Sequence, residues 1–93
     1  MYRKRYAKRF KTSIRKILKS GHCKQEEIDI IIEIIASGKT LDRKYRDHAL
    51  TGEYRGYREC HIKPDMLLIY KIEKDILILV LADIGSHANL FGI

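Results

Sequence analysis

The 93-residue sequence has no tryptophan, one proline and two cysteines, and it contains no long apolar run. Cys23 and Cys60 stand far apart without the short spacings of metal-binding or redox motifs, so we expect two reduced thiols. The longest apolar stretch, Ile76 to Ala82, is far shorter than the roughly 18 residues that a membrane helix needs. Charges begin at Arg3 with no apolar segment behind them, which predicts no secretion signal and a cytoplasmic protein.

Acidic residues are missing from the first 25 positions. This segment contains ten Lys or Arg, whereas residues 26–93 contain nine Lys or Arg and twelve Asp or Glu, so it carries the whole surplus behind the net charge of +7. Such a segment attracts nucleic acid, an acidic membrane or an acidic protein partner. A solvated helix face has the same composition, and charge alone does not separate these alternatives.

The hydrophobic pattern predicts two helices in the first half of the chain. A basic amphipathic helix begins near Ala7 and ends at Gly21. Its apolar stripe consists of Tyr6, Phe10, Ile14, Ile17 and Leu18. A second, more acidic helix is predicted between Lys24 and Ser37, with an apolar stripe of Ile28, Ile31, Ile32 and Ile35. Residues 2–6 form either a short edge strand or the entry to the first helix.

Three strand-like runs follow a polar connection at residues 39–54. They cover Tyr54–Ile62, Met66–Glu73 and Ile76–Ile84, and the short turns between them favour antiparallel hairpins. The third run is apolar on both faces, which predicts an interior position in the sheet. The sequence therefore predicts one α+β domain over residues 1–93, with two helices packed on one face of a small antiparallel sheet.

Three of the four histidines lie at the edges of these runs. Alternation places His61 and its same-face neighbours on the side of the sheet that faces away from the helices. These neighbours are Arg55, Tyr57, Glu59 and Lys63, while Arg58 and Cys60 fall on the other side. His48 precedes the first run and His87 follows the third, so all three imidazoles can meet on the open face. Each of them could equally be an ordinary surface residue.

The spacing of the histidines argues against a metal site. They are 13 and 26 residues apart, without the close His or Cys pairs that such sites show. Imidazoles titrate near neutral pH and can exchange protons with a ribose hydroxyl and with a leaving 5′-oxygen. Histidines accompanied by arginine and a carboxylate therefore suit the cleavage of RNA without metal.

Four segments resemble the YafQ-type toxins of the RelE/ParE superfamily, and together they cover about half of the chain. They are the runs YRDHAL from Tyr45, GYRECHIKPD from Gly56, LIYK from Leu68 and GSHANLF from Gly85, in the same order as in that family. The resemblance implies a RelE-like fold and a toxin whose antitoxin inhibits it. It also implies a ribosome-dependent mRNA endoribonuclease that needs no metal and no cofactor.

Carried over by motif, the catalytic group consists of His48, His61, Asp65 and His87. His87 and Asp65 are expected to transfer protons. The resemblance also implies that Phe91 orients or stacks on a base and that Arg58 stabilises charge. Two positions depart from the family pattern, since Met66 stands in place of a tryptophan and Asp83 in place of an arginine.

The expected partners are mRNA on the ribosome, ribosomal RNA and an acidic antitoxin. The basic N-terminal helix is expected to contact the antitoxin, the ribosomal RNA or both, and no membrane is involved. Two alternatives stay open. One is a ParE-like toxin that acts on DNA gyrase without nuclease activity, and the other is a non-enzymatic module that binds RNA or protein.

Overall fold

A computed structural model describes residues 1–92 and shows two main helices against a five-stranded sheet, which confirms the predicted α+β architecture. The strands are β1 (Arg3–Tyr6), β2 (His48–Ala49), β3 (Arg58–Lys63), β4 (Met66–Glu73) and β5 (Ile78–Gly85). The helices are α1 (Lys8–Ser20), α2 (Gln25–Ala36) and the short α3 (His87–Phe91). Single 3-10 turns occupy Arg43–Tyr45, Gly52–Tyr54 and Lys74–Ile76. The predicted domain also includes Ile93, which lies outside the described residues.

The sheet is mixed, with the strand order β1-β5-β4-β3-β2. Strands β2 to β5 are antiparallel to their neighbours, whereas β1 pairs in parallel with β5. Residues 2–6 therefore contribute an edge strand, and the predicted antiparallel sheet gains one parallel pair. Strand β5 lies inside the sheet between β1 and β4, as its two apolar faces predict.

The helices bury their apolar stripes against one face of the sheet. Phe10 and Ile17 of α1 and the four predicted isoleucines of α2 are buried there. The sheet contributes Cys60, Leu68, Tyr70, Leu79, Leu81 and Ile84. Tyr6 does not belong to the stripe, because it lies in β1 with its side chain 42% exposed. Among residues 1–92, none of the helices combines the length and apolar character that spanning a membrane requires.

Helix α1 ends as the sequence predicts. Gly21 has a φ of 78°, and its N–H donates to the carbonyl of Leu18. This left-handed conformation favours glycine because a Cβ atom would be strained there.

Three local predictions are wrong. Strand β3 begins at Arg58 and not at Tyr54, because residues 52–54 form a 3-10 turn. The polar connection is not wholly irregular, since it contains β2. A register shift between His61 and Lys63 also turns the Lys63 side chain away from the open face. Its Nζ donates to the carbonyl of His22, 3.0 Å away in the connection between α1 and α2.

Candidate active site

Three histidines that are distant in sequence lie side by side on the sheet face opposite to the helices. The ring centroids of His48 and His61 are 6.4 Å apart, and those of His61 and His87 are 5.8 Å apart. Strands β2 and β3 supply the first two rings, and the N-terminus of α3 supplies the third. The structure therefore assembles the histidine cluster that the sequence predicts.

His48 is held at both ring nitrogens. Its Nδ1 lies 2.7 Å from the carbonyl oxygen of Arg46, and its Nε2 lies 2.9 Å from Oε2 of Glu59. A carbonyl oxygen only accepts hydrogen bonds, so Nδ1 carries a proton and donates it. The other nitrogen faces the Glu59 carboxylate. About half of the His48 side chain remains exposed.

Glu59 is a site residue that the sequence-based prediction missed. Its residue is only 6% exposed, and within residues 1–92 its Oε1 atom is buried without a hydrogen-bond partner. Buried polar atoms are rarely left unpaired except where function requires it. The alternation of β3 places Glu59 on the same face as His61. A carboxylate next to a candidate catalytic histidine is the sequence signal that could have identified it.

His61 stands over an apolar floor. Its cross-strand partner is Leu67, and the partner of Glu59 is Ile69, so these side chains share one face of the sheet. Both Leu67 and Ile69 are fully buried. The Nδ1 of His61 lies 3.4 Å from the carbonyl of Pro64, which leaves Nε2 available. An apolar floor lowers the local dielectric and strengthens charge interactions above it.

Asp65 fixes His87 at two points. Its Oδ1 accepts hydrogen bonds from the backbone N–H of His87 at 3.1 Å and from the ring Nδ1 at 2.8 Å. These bonds lower the pKa of Asp65, the backbone bond contributing most, so the carboxylate stays ionised at neutral pH. The Nε2 of His87 remains free to give or take a proton.

The turn before α3 brings His87 to this position. Ser86 caps the helix by accepting from the N–H of Asn89, and the Asn89 side chain accepts from the N–H of Ser86. A Cβ atom at Gly85 would lie 3.1 Å from the Cβ of Asn89. Glycine at position 85 therefore lets the helix fold back closely over the end of β5.

Aromatic rings continue from the histidines toward Phe91. The ring centroid of Phe91 is 6.4 Å from that of His87 and 5.7 Å from that of Tyr54, which meets it edge-on. Tyr54 in turn lies 6.3 Å from Tyr57. The structure thus places Tyr54 beside the predicted base-contacting residue.

Arg58 does not join the histidines. It lies opposite Tyr70 on the helix-covered face, with its Nε 3.1 Å from Oδ1 of Asp47. Other cations lie closer to the cluster. A cavity of about 480 Å³ beside His61 is lined by three of them, namely Lys44, Arg46 and Lys63.

The two departures from the family pattern both have structural roles. Met66 is 8% exposed and packs in the helix-facing core. Asp83 is 7% exposed, and its Oδ1 accepts hydrogen bonds from Oγ of Ser13 at 2.7 Å and from the N–H of Ile84 at 2.8 Å. Asp83 therefore ties β5 to α1.

Glu59, His61 and His87 could also hold a metal ion. One ligand atom from each lies within 4.8 Å of the others, and nitrogen and oxygen donors of this kind suit transition metals. Cys60 is excluded as a nucleophile, because it is fully buried and burial raises the pKa of its thiol to about 12.

The cluster can perform acid–base chemistry. All three rings are oriented through Nδ1 by oxygen atoms, and two of them, His61 and His87, present Nε2 without a partner among residues 1–92. A carboxylate oxygen of Glu59 lies within 4.8 Å of a ring nitrogen of each of these two histidines. Such an arrangement offers both a proton acceptor and a proton donor within one small area.

Comparison with known proteins agrees with this site. The model of a family described as a bacterial toxin of type II toxin–antitoxin systems, YafQ, matches residues 2–92. The mRNA interferase toxin YafQ of Escherichia coli K12 is 44% identical over 52 residues, a segment that spans 56% of this chain and 54% of that relative.

Solved structures match over nearly the whole chain. A metal-bound toxin from Helicobacter pylori is 35% identical, with a TM-score of 0.92, over 98% of this chain and 100% of that one. The toxin in an E. coli DinJ-YafQ toxin–antitoxin complex is 28% identical, with a TM-score of 0.84, over 98% of both chains. The chain therefore belongs to the YafQ family of bacterial toxins of type II toxin–antitoxin systems.

Proposed function

We propose that this toxin is a ribosome-dependent endoribonuclease that cleaves mRNA by metal-independent acid–base catalysis. The observation that carries the proposal is the approach of Glu59, His61 and His87, whose functional atoms lie within 4.8 Å of one another on an open face. An E. coli relative is named an mRNA interferase toxin, which agrees with this chemistry.

The proposed reaction is an attack of the ribose 2′-oxygen on the adjacent phosphorus. A base removes the proton of the 2′-hydroxyl, and an acid gives a proton to the 5′-oxygen as its bond to phosphorus breaks. The products are a 2′,3′-cyclic phosphate and a 5′-hydroxyl end. No oxidant, cofactor or added water takes part in this step.

His87 is assigned the proton transfer at one side of the phosphate, through its free Nε2. Asp65 holds the ring by its Nδ1 and fixes its orientation. Although the family resemblance implies a proton-transferring Asp65, its ionised state and its two bonds to His87 favour a positioning role.

Glu59 is assigned the role of base, with His61 beside it. Its Oε1 makes no hydrogen bond within residues 1–92, which leaves this oxygen available as the acceptor of the 2′-hydroxyl proton. Nε2 of His48 contacts the other oxygen of Glu59 at 2.9 Å and holds the carboxylate in place. The proposed mechanism thus adds Glu59 to the predicted catalytic group of His48, His61, Asp65 and His87.

The cations beside His61 would offset the charge that builds on the phosphorane. Lys44 and Arg46 line the cavity there, and they take the part that the resemblance implied for Arg58. Lys63 also lines it, but its Nζ is held by the carbonyl of His22 on the other side. Phe91 and the adjoining Tyr54 present ring edges and faces to a base of the mRNA.

The basic N-terminal segment provides the contact with larger partners. The Lys and Arg side chains of α1 are exposed, namely Lys8, Arg9, Lys11, Arg15, Lys16 and Lys19. Phosphate groups of ribosomal RNA and an acidic antitoxin both complement this surface. The antitoxin of the E. coli complex suggests the second partner, and an acidic segment that folds on binding suits it.

The test is an in vitro cleavage assay with purified toxin, mRNA and ribosomes. We expect cleavage that requires ribosomes and persists in excess chelator, because a metal on Glu59, His61 and His87 would occupy the atoms that transfer protons. His87→Ala should lower the rate by about 10²- to 10⁴-fold, the usual contribution of one acid–base group. His22→Ala in the exposed α1–α2 connection is the matched control.

Three outcomes would contradict the proposal. Full activity of His87→Ala excludes the assigned proton transfer, and loss of activity in chelator excludes the metal-independent mechanism. Intact mRNA together with DNA damage in cells that produce the toxin would favour a ParE-like action on gyrase.

A further inference from the structure

A second polar cluster lies on the helix-covered side of the sheet, directly behind His48. Asp47, the residue before His48, accepts two hydrogen bonds at Oδ1. One comes from the hydroxyl of Tyr70 at 2.7 Å, and the other comes from Nε of Arg58 at 3.1 Å. Acid–base chemistry at the histidines uses none of these three side chains.

Tyr70 anchors this cluster in the core. It is 1% exposed, belongs to β4 and lies directly opposite Arg58 of β3. Burial raises the pKa of its hydroxyl, and the hydrogen bond to Asp47 raises it further, so Tyr70 stays a donor at neutral pH. Asp47 is therefore tied to a fully buried residue of the sheet.

The strand that carries His48 is too short to fix the ring alone. Strand β2 has two residues, which pair with Glu59 and Arg58. Just before it, Arg46 has a φ of 48°, a conformation that is uncommon for residues other than glycine. The carbonyl of this same Arg46 accepts from Nδ1 of His48, so the geometry of the ring depends on a strained residue.

Two residues that are adjacent in sequence, Asp47 and His48, contact two adjacent residues of β3. On the open face His48 contacts Glu59, and on the covered face Asp47 contacts Arg58. Because neighbouring residues of a strand point to opposite faces, the two contacts clamp β2 against β3 from both sides. Loss of the covered contact would free Asp47 and allow Arg46 to relax.

We propose that Tyr70, Asp47 and Arg58 are positioning residues for His48, which they hold in register with Glu59 from the opposite face of the sheet. This inference rests on the proposed function, because it assigns the cluster a part in RNA cleavage. It predicts that removal of a single buried hydroxyl alters chemistry at a ring on the other side of the sheet. A merely structural role predicts lower stability alone.

The experiment compares Tyr70→Phe with Tyr2→Phe. Tyr2 also packs against the core, and its hydroxyl makes no hydrogen bond within residues 1–92. Well below the unfolding temperature, Tyr70→Phe should lower kcat for ribosomal mRNA cleavage by roughly tenfold and leave KM unchanged, since small misplacements of a catalytic group are costly. Its ¹⁵N spectrum should show shifted ring signals for His48, while those of His87 stay in place.

Two outcomes would contradict the positioning role of Tyr70, and a third would refute the proposed function. Wild-type kcat and unshifted His48 signals in Tyr70→Phe would overturn the inference and leave the proposed function intact. An equal loss in Tyr2→Phe would also overturn it, because the effect would then be general loosening of the core. Absence of cleavage by the wild-type protein would refute the proposed function itself, together with the catalytic part of this inference.

Discussion

The two faces of β3 differ in how completely their polar groups are satisfied. On the helix-covered face, Arg58 is paired with Asp47 and Cys60 is enclosed in the core. On the open face, Glu59 is almost as deeply buried, yet one of its oxygens has no partner within residues 1–92. Of two adjacent residues of β3, Arg58 thus has its charge paired, whereas Glu59 keeps one oxygen unpaired. The difference predicts that substitutions on the covered face lower stability, whereas substitutions on the open face lower activity.

The largest expected effect comes from Glu59→Gln, which tests the open face. The amide keeps the shape of the side chain but cannot accept a proton, so kcat for mRNA cleavage should fall by about 100-fold. Stability should change less than activity, because the amide oxygen can still accept a hydrogen bond from Nε2 of His48 although the ion pair is lost. Cleavage kinetics and thermal unfolding of the same preparation measure both effects.

Glu73→Gln, at the far end of β4, is the control for this variant. If Glu59→Gln lowers the unfolding temperature and leaves kcat normal, the open face contributes to stability and not to activity. Glu59 would then be a structural residue.

Cys60→Ser tests the covered face and should have the opposite profile. A hydroxyl at this fully buried position lacks the solvent that it needs, which should lower the free energy of unfolding by about 1–3 kcal/mol. The rate of cleavage should stay unchanged well below the unfolding temperature. Denaturant unfolding followed by circular dichroism gives the stability.

Cys23→Ser is a matched comparison, because Cys23 is also buried but its Sγ lies 3.8 Å from the carbonyl of Lys24. A hydroxyl there has an acceptor nearby, so the loss should be smaller. An equal loss in free energy of unfolding for Cys60→Ser and Cys23→Ser would show that a nearby acceptor does not reduce the cost of a buried hydroxyl.

The smallest expected effect is the pH dependence of folding stability that comes from the hydrogen bonds between Asp65 and His87. The pKa of Asp65 is lower in the folded chain than its ordinary value, chiefly through the backbone N–H of His87, so folding favours the ionised carboxylate. This stabilisation is complete above the ordinary carboxyl pKa of about 4 and disappears as the pH falls through the lower, folded-state value.

The unfolding midpoints of the wild type and of Asp65→Asn should therefore differ at about pH 5 and converge toward about pH 3. Asp75→Asn, in the exposed turn between β4 and β5, is the control. A difference that grows as the pH falls would contradict the assigned direction of the pKa change.

Much of the fold was predictable because the spacing of apolar residues along the chain determines the helices and strands. The stripe of Ile28, Ile31, Ile32 and Ile35 predicted α2, and β4 has the bounds that its apolar run predicted. Strand β2 was not predictable, since two residues carry no periodic signal and pair only because β3 offers a free edge. The parallel pairing of β1 with β5 likewise depends on residues from the two ends of the chain.

The sequence by itself determined which residues could carry the chemistry, because motif and alternation singled out His48, His61, Asp65 and His87. Only the tertiary structure decided how they meet. It added Glu59 to the site, turned Lys63 aside at a bulge and paired Arg58 with Asp47 on the other face. The physical reason is that side-chain direction depends on strand register, and register is set by bulges and by pairings between distant segments, which no local pattern records.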